Sequence, residues 1–574
     1  MKPFATALLT AFLMIGAPAA GAETAPRAPL FDDLGKNHWP ISSKNPKVQR
    51  YFDQGLILTY AFNHAEAERS FQEAARLDPE CAICVWGTSL VLGPNINAPM
   101  DPKVAPEAYE RAQKALSLAS HASEKERALI EALSKRYARE APADRAPLDL
   151  AYADAMRQVA RRYPDDVEVQ ALFAEALMDL TPWAYWDKEG KETKYTAELL
   201  RTIESVLAKN PDHPGAIHFY IHTTEASRDP GRAAKYADKL GTLTPGAGHL
   251  VHMPAHTYMR IGRYHDAVLV NQKAAAADDS YMTQCRRQGM YPLAYVPHNH
   301  HFLWAAAAME GASKVALAAA VQTDEKTMHE HVRAPGLGTA LQHFTVTPMY
   351  ALVRFARWDD ILALEKPAED LVYPSALWHW ARGHAYAGRD ELGKAREELA
   401  ALEAILARPE LAEMKMLSTN PVSTVLGIAT DLLAAEIARK DGRLDQAIAR
   451  LQHGVELEDS LLYTEPSDWP SPVRHHLGAV LLEAGRASEA EAVYRADLDA
   501  LRNPDNGWAL FGLRQSLEAQ GKNEEARQVQ ARFERAWVHA DVELESSRAT
   551  RELKPRSAPV AAASTAGATA AARP

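Results

Sequence analysis

The chain has 574 residues, with 64 Lys and Arg against 75 Asp and Glu, a formal net charge of −11, and 22 histidines. That acidic balance argues against a nucleic-acid partner, for which a basic stripe is expected. The length leaves room for more than one domain.

The N-terminus combines Lys2, an apolar stretch from Phe4 to Ile15, and the small residues Ala20-Gly21-Ala22. This pattern predicts a secretory signal over residues 1–22, cleaved after Ala22. The apolar run is too short to span a bilayer, and no later segment approaches the ~20 apolar residues of a membrane helix. No lipobox-type cysteine is present, so the expected destination is periplasmic or secreted. Residues 23–45 read as a lead-in to the folded chain.

The cysteines are Cys81, Cys84 and Cys285. In an oxidising compartment Cys81 and Cys84 are first read as a structural disulfide, ahead of a metal-binding pair and a redox centre, with Cys285 left over. The run Cys-Ala-Ile-Cys-Val lacks the histidine that follows the second cysteine in c-type haem attachment, which excludes haem c.

From residue 46 onward, Ala/Leu/Glu/Arg-rich stretches with apolar residues at i, i+3, i+4 and i+7 predict helices. Breakers such as Asp78-Pro79, Gly262-Arg263 and Gly485-Arg486 separate them. The breakers recur in register. In residues 248–278 a helix ends at Gly262, Tyr264 packs in the turn and Ala267 opens a close-packed second helix. The unit resembles the tetratricopeptide repeat (TPR), a helix-turn-helix of ~34 residues.

The same register recovers Gly55 with Ala67, Gly383 with Ala395, Gly442 with Ala447, Gly478 with Ala490, and Gly521 with Ala526. Units start near residues 48, 214, 248, 297, 342, 376, 428, 471 and 507. Such hairpins bury their apolar faces only against neighbours. The expected fold is therefore all-α, a TPR-like solenoid with irregular insertions. Helical repeats occupy residues 46–213 and the more regular solenoid 214–540. Residues 554–574, rich in Ala, Ser, Thr and Pro, read as a disordered tail.

The phrases CAICVWGTSLVLGPNINAPM (81–100), PWAYWD (182–187), HLVHMPAHTYMRIGRY (249–264), YTEPSDWPSPVRHHLGAVL (463–481) and NPDNGWALFGL (503–513) are similar to those of a group of exported bacterial TPR proteins without a settled activity. The resemblance covers most of the mature chain. It implies export, the solenoid fold, and a scaffold that binds a protein or peptide partner in its concave groove.

Six histidines stand out against this frame. In TPR units the first helix lines the concave face, with repeat positions 2, 5, 9 and 12 pointing into it. His218 and His222 take positions 5 and 9 of one unit, His252 and His256 the same positions of the next, and His298 and His301 positions 2 and 5 of the third. Residues four apart share a helix face, and Glu225 follows His222 by three. Nitrogen-rich donors with one carboxylate suit zinc, copper, iron or nickel better than calcium or magnesium. A transition-metal site in a wet groove is therefore the alternative to the scaffold reading, which takes the same histidines as polar groove residues. The glutamate of a zinc-protease HExxH helix is missing, and no serine-nucleophile, P-loop or Rossmann motif occurs. His343 and His475 fall singly at groove positions, His300 reads as solvated, and Trp183, Trp186, Trp469 and Trp508 as packing anchors.

Overall fold

The computed structural model describes residues 28–284, 289–416 and 419–556. The expected signal segment, Cys285 and the chain beyond Arg556 lie outside the described residues. Within them the protein is all-α. The strands among the described residues are one short antiparallel pair, Lys415–Met416 with Asn420–Pro421. Among the described residues no helix is long and apolar enough to cross a membrane.

Local chemistry sets the helix ends. Asn45 caps Pro46–Tyr60 by accepting from the Lys47 amide, with Pro46 in the first turn where its missing N–H costs nothing. Ser123 and Glu126 form a reciprocal capping box on Glu124–Leu133. Gly262 and Gly311 take φ of +76° and +78° in two hairpin turns, the left-handed conformation in which a Cβ is costly.

Hairpins then stack through small residues. Ala67, Ala267, Ala316, Ala395, Ala447 and Ala490 are fully buried where the second helix of a unit meets the first. Typical pairs are Val296–Glu310 with Ser313–Lys326 and Val422–Lys440 with Leu444–Ser460. Tyr494 is wedged between two units. A Cβ on Gly478 or Gly512 would lie 2.3 or 2.2 Å from its ring.

The solenoid also closes on itself. Arg260 donates to the carbonyls of Arg502 (2.9 Å) and Ala500 (3.2 Å), and the Tyr264 hydroxyl to Pro504 O (2.9 Å). Trp508 Nε1 donates to Ala308 O (2.9 Å), and Asp541 accepts from the Ser313 and Lys314 amides that open Ser313–Lys326. The C-terminal units and the 461–472 segment thus cover the middle of the groove.

Two expectations are corrected here. The histidine helices do not line an open wet groove, because Pro214–Thr224 is buried along its whole length and Val296–Glu310 everywhere but at His298, which is half-buried. A helix buried all round belongs to a core. Order also continues past residue 554: the Glu543 amide donates to Lys554 O and the Arg556 amide to Asp541 O, so this stretch is tied to the preceding segment.

Candidate metal centre

Three consecutive units converge on one buried cluster. The helix Pro214–Thr224 supplies His218 and His222, and Glu225 caps its end. Gly248–His252 and Pro254–Arg260 supply His252 and His256. Pro254 divides that element without displacing the pair, whose rings lie 4.8 Å apart. His298 enters from Val296–Glu310, 4.9 Å from His252.

His249 joins them, 5.0 Å from His218 and 5.7 Å from His252. Sequence reasoning missed it, although it stands at position 2 of its unit, the position His298 holds in the next. The donor atoms form three overlapping groups, each mutually within 4.8 Å: His218, His222 and His249; His252, His256 and His298; His222, Glu225 and His256.

His301 does not belong to this cluster. One position beyond His300 on its helix, it packs instead against Trp304, His343 and Phe344. His300, expected to be solvated, is buried. Trp183 is no remote anchor: its ring meets His222 edge-on at 5.1 Å. The sulfurs of Cys81 and Cys84 are bonded to each other, at the start of Ala82–Leu90 and away from the histidines.

The hydrogen bonds fix the tautomers. His218 donates from Nδ1 to Tyr60 O (2.6 Å), and His222 from Nδ1 to Glu225 Oε1 (2.8 Å). His256 donates from Nδ1 to Glu225 Oε2 (2.6 Å). His252 donates from Nδ1 to Asn271 Oδ1 (2.7 Å), while the Asn271 amide nitrogen donates to Ala267 O. In a neutral ring held this way Nε2 is a bare lone pair. Metal-bound histidines are held in this way, with the second nitrogen donating to a carboxylate, an amide or a backbone carbonyl.

The lone pairs have no protein donor. Nε2 of His218, Nε2 of His222 and both nitrogens of His249 are buried without a partner. Each such atom costs ~1–3 kcal/mol if left unsatisfied. Nε2 of His252 and Nε2 of His256 face each other at 2.9 Å.

Burial opposes charge on five of the imidazoles. It holds His218, His222, His249 and His252 below the usual imidazole range, reinforced by neighbouring histidines, and brings His298 down to about 3. At Glu225 burial acts upward, but His256 and His222 beside it outweigh this and bring the carboxyl down to about 2. The cluster thus gathers several nitrogen donors around one carboxylate.

Two bulky residues against it adopt unfavourable backbone. Phe62 (φ +55°) and Trp183 (φ +63°) both sit in the left-handed region and both meet His222. Such outliers persist where the surroundings over-determine them, often at functional sites.

A cavity of about 180 Å³ lies behind Arg260 and Tyr463, two residues that bond Glu225. Arg260, Tyr463, Glu465 and Ala305 line it. The Tyr463 hydroxyl donates to Glu225 Oε2 at 3.3 Å, and Arg260 Nε to Glu225 O at 2.9 Å. Burial raises Glu465 to about 7 against the pull of Arg260 and His256.

No family model matches the chain, and no curated protein does. Among solved structures, the human IFIT1 dimer with m7Gppp-AAAA is similar at 13% identity and TM-score 0.31, covering 86% of this chain and 90% of that one. The Cut9 complex of the APC/C gives 12% and 0.29, with 85% and 76% covered. Yeast Tom70 gives 12% and 0.25, with 86% and 91% covered. Likeness at this level carries no functional argument. The TPR-like architecture rests on the packing of the helices described above.

Proposed function

We propose that the chain is an exported metalloprotein whose histidine cluster holds a transition metal: zinc, copper or iron. The observation that carries this reading is the His252–His256 pair. Both rings spend Nδ1–H on fixed acceptors, so two lone pairs meet at 2.9 Å in a dry interior. Between two neutral rings this contact is repulsive, and a cation bound beside the two nitrogens relieves it.

The chain's own residues divide the work. Tyr60 O, Asn271 and Glu225 aim the imidazoles. Phe62, Trp183 and Phe302 exclude water. The cavity behind Arg260 and Tyr463 has room for a small polar molecule. A bound metal would supply Lewis-acid or redox chemistry there.

A protein or peptide partner in the groove is the other role that the repeats and the resemblance imply. At the level of the cluster the groove is filled by histidine helices and covered by residues 461–472 and 500–506, which places such a partner second. Elemental analysis of untagged full-length protein tests the metal reading. Near-stoichiometric zinc, copper or iron supports it. No bound metal after incubation with each of these ions refutes it and returns the histidines to a structural role.

A further inference from the structure

The cluster is built twice by one rule. Counting units from Pro214, Gly248 and Pro297, the residues at positions 2, 5 and 9 are Gly215, His218 and His222; His249, His252 and His256; and His298, His301 and Ala305. Positions 5 and 9 of one unit meet position 2 of the next. Applied to the first junction, the rule gives His218, His222 and His249; applied to the second, it gives His252, His256 and His298. These are two of the three donor groups that the geometry brings together.

Matching details repeat at both junctions. The i, i+4 rings are 4.8 Å apart in each, and the incoming third ring lies 5.0 Å from His218 in one and 4.9 Å from His252 in the other. A phenyl ring covers each triad: Phe62 lies 4.6 to 6.3 Å from the first three rings, and Phe302 4.5 to 5.4 Å from the second three.

At the third junction the rule calls for His301, position 305 and His343. His301 and His343 do approach, at 5.1 Å, but position 305 is alanine and the triad is incomplete. The cavity beside the cluster opens over this alanine.

Glu225 lies between the two complete triads and bonds Nδ1 of one ring from each, His222 and His256. Both its oxygens are therefore used behind the ligands, leaving three nitrogen donors at each junction. We infer that the chain carries two separate trihistidine centres per molecule, one at each junction, and that they take a pair of copper(I) ions. This rests on the metal reading above.

The charge balance selects the ion. Two divalent ions would set four positive charges against one buried carboxylate, whereas two monovalent ions set two, and uncompensated buried charge is expensive. Imidazole is also a suitable donor to copper.

The test loads metal-free, full-length protein anaerobically with copper(I), and separately with zinc, then counts metal per chain after gel filtration. Two coppers in the wild type, one in His249→Ala, one in His298→Ala and two in His301→Ala are expected. Far-UV circular dichroism checks each fold, and the asparagine variant at the same position (His249→Asn, His298→Asn or His301→Asn) replaces any alanine variant that fails it. One copper per chain, or loss of all copper from either single variant, overturns the two-centre inference while leaving the metal reading standing. Two zincs with no copper overturn the choice of ion. No metal of either kind refutes the metal reading itself.

Discussion

Glu225→Gln isolates what the buried carboxylate does. Glu225 accepts from His222 Nδ1 (2.8 Å), His256 Nδ1 (2.6 Å) and the Tyr463 hydroxyl (3.3 Å). Glutamine keeps the shape but offers one acceptor oxygen and one NH2. The imidazole facing the NH2 must turn its Nδ1 into an acceptor, so its proton moves to Nε2 and blocks the atom meant for the metal. Losing an outer partner of this kind costs ~10–100-fold in metal affinity, which is about 1.4–2.8 kcal/mol. The metal-free fold should tolerate the change, because it removes a buried charge rather than creating one. A competition titration against a chromophoric chelator at constant pH reads the affinity. The reasoning is refuted if the folded variant binds within threefold of wild type.

Gly512→Ala places a Cβ 2.2 Å from the Tyr494 ring, which Gly478 confines on its other side. Over-packing of this kind costs ~1–3 kcal/mol. The thermal midpoint should fall, whereas Gly393→Ala, with nothing within 4 Å of its added carbon, should leave it unchanged or raised. A third prediction concerns pH. Burial, with Asp266 and Asp541 adding to it, lifts Glu310 from 4.5 to about 8. The folded protein therefore holds this proton where the unfolded chain releases it. The resulting stability is present in full below pH ~4.5, then declines by at most ~1.4 kcal/mol per pH step of one as pH rises, and is lost by about pH 8. Urea titrations should show Glu310→Gln gaining on wild type steadily between pH 5 and 8; a constant gap across that range counts against the reading.

The fold was legible because its signals are local. Glycines such as Gly262 and alanines such as Ala267 mark each hairpin by what the turn and the helix contact require, and those requirements do not depend on distant residues. Part of the site was legible for the same reason, since the i, i+4 pairs His218/His222 and His252/His256 follow from helical spacing. His249 was within reach by the same counting that gave His298, but it lacks an i, i+4 partner on its own helix and so left no pair to notice. His301 was misplaced because position 5 of a unit meets position 2 of the following one, so His301 faces His343 at the third junction instead of His252. The dryness of the site was hidden too. The residues that cover it, near 463 and 502, lie roughly 240 positions along the chain from their partners Glu225 and Arg260.

That long-range covering changes how such a molecule comes apart. An open row of repeats can fray from either end, one unit at a time, with little consequence for the middle. Here the hydrogen bonds from Arg260 and Tyr264 to residues 500–504 act as a clasp between the centre and the C-terminal units. Peeling away those units would admit water to the central imidazoles, so damage at one end is felt at the heart of the molecule, and the integrity of the last repeats decides whether the histidines stay dry.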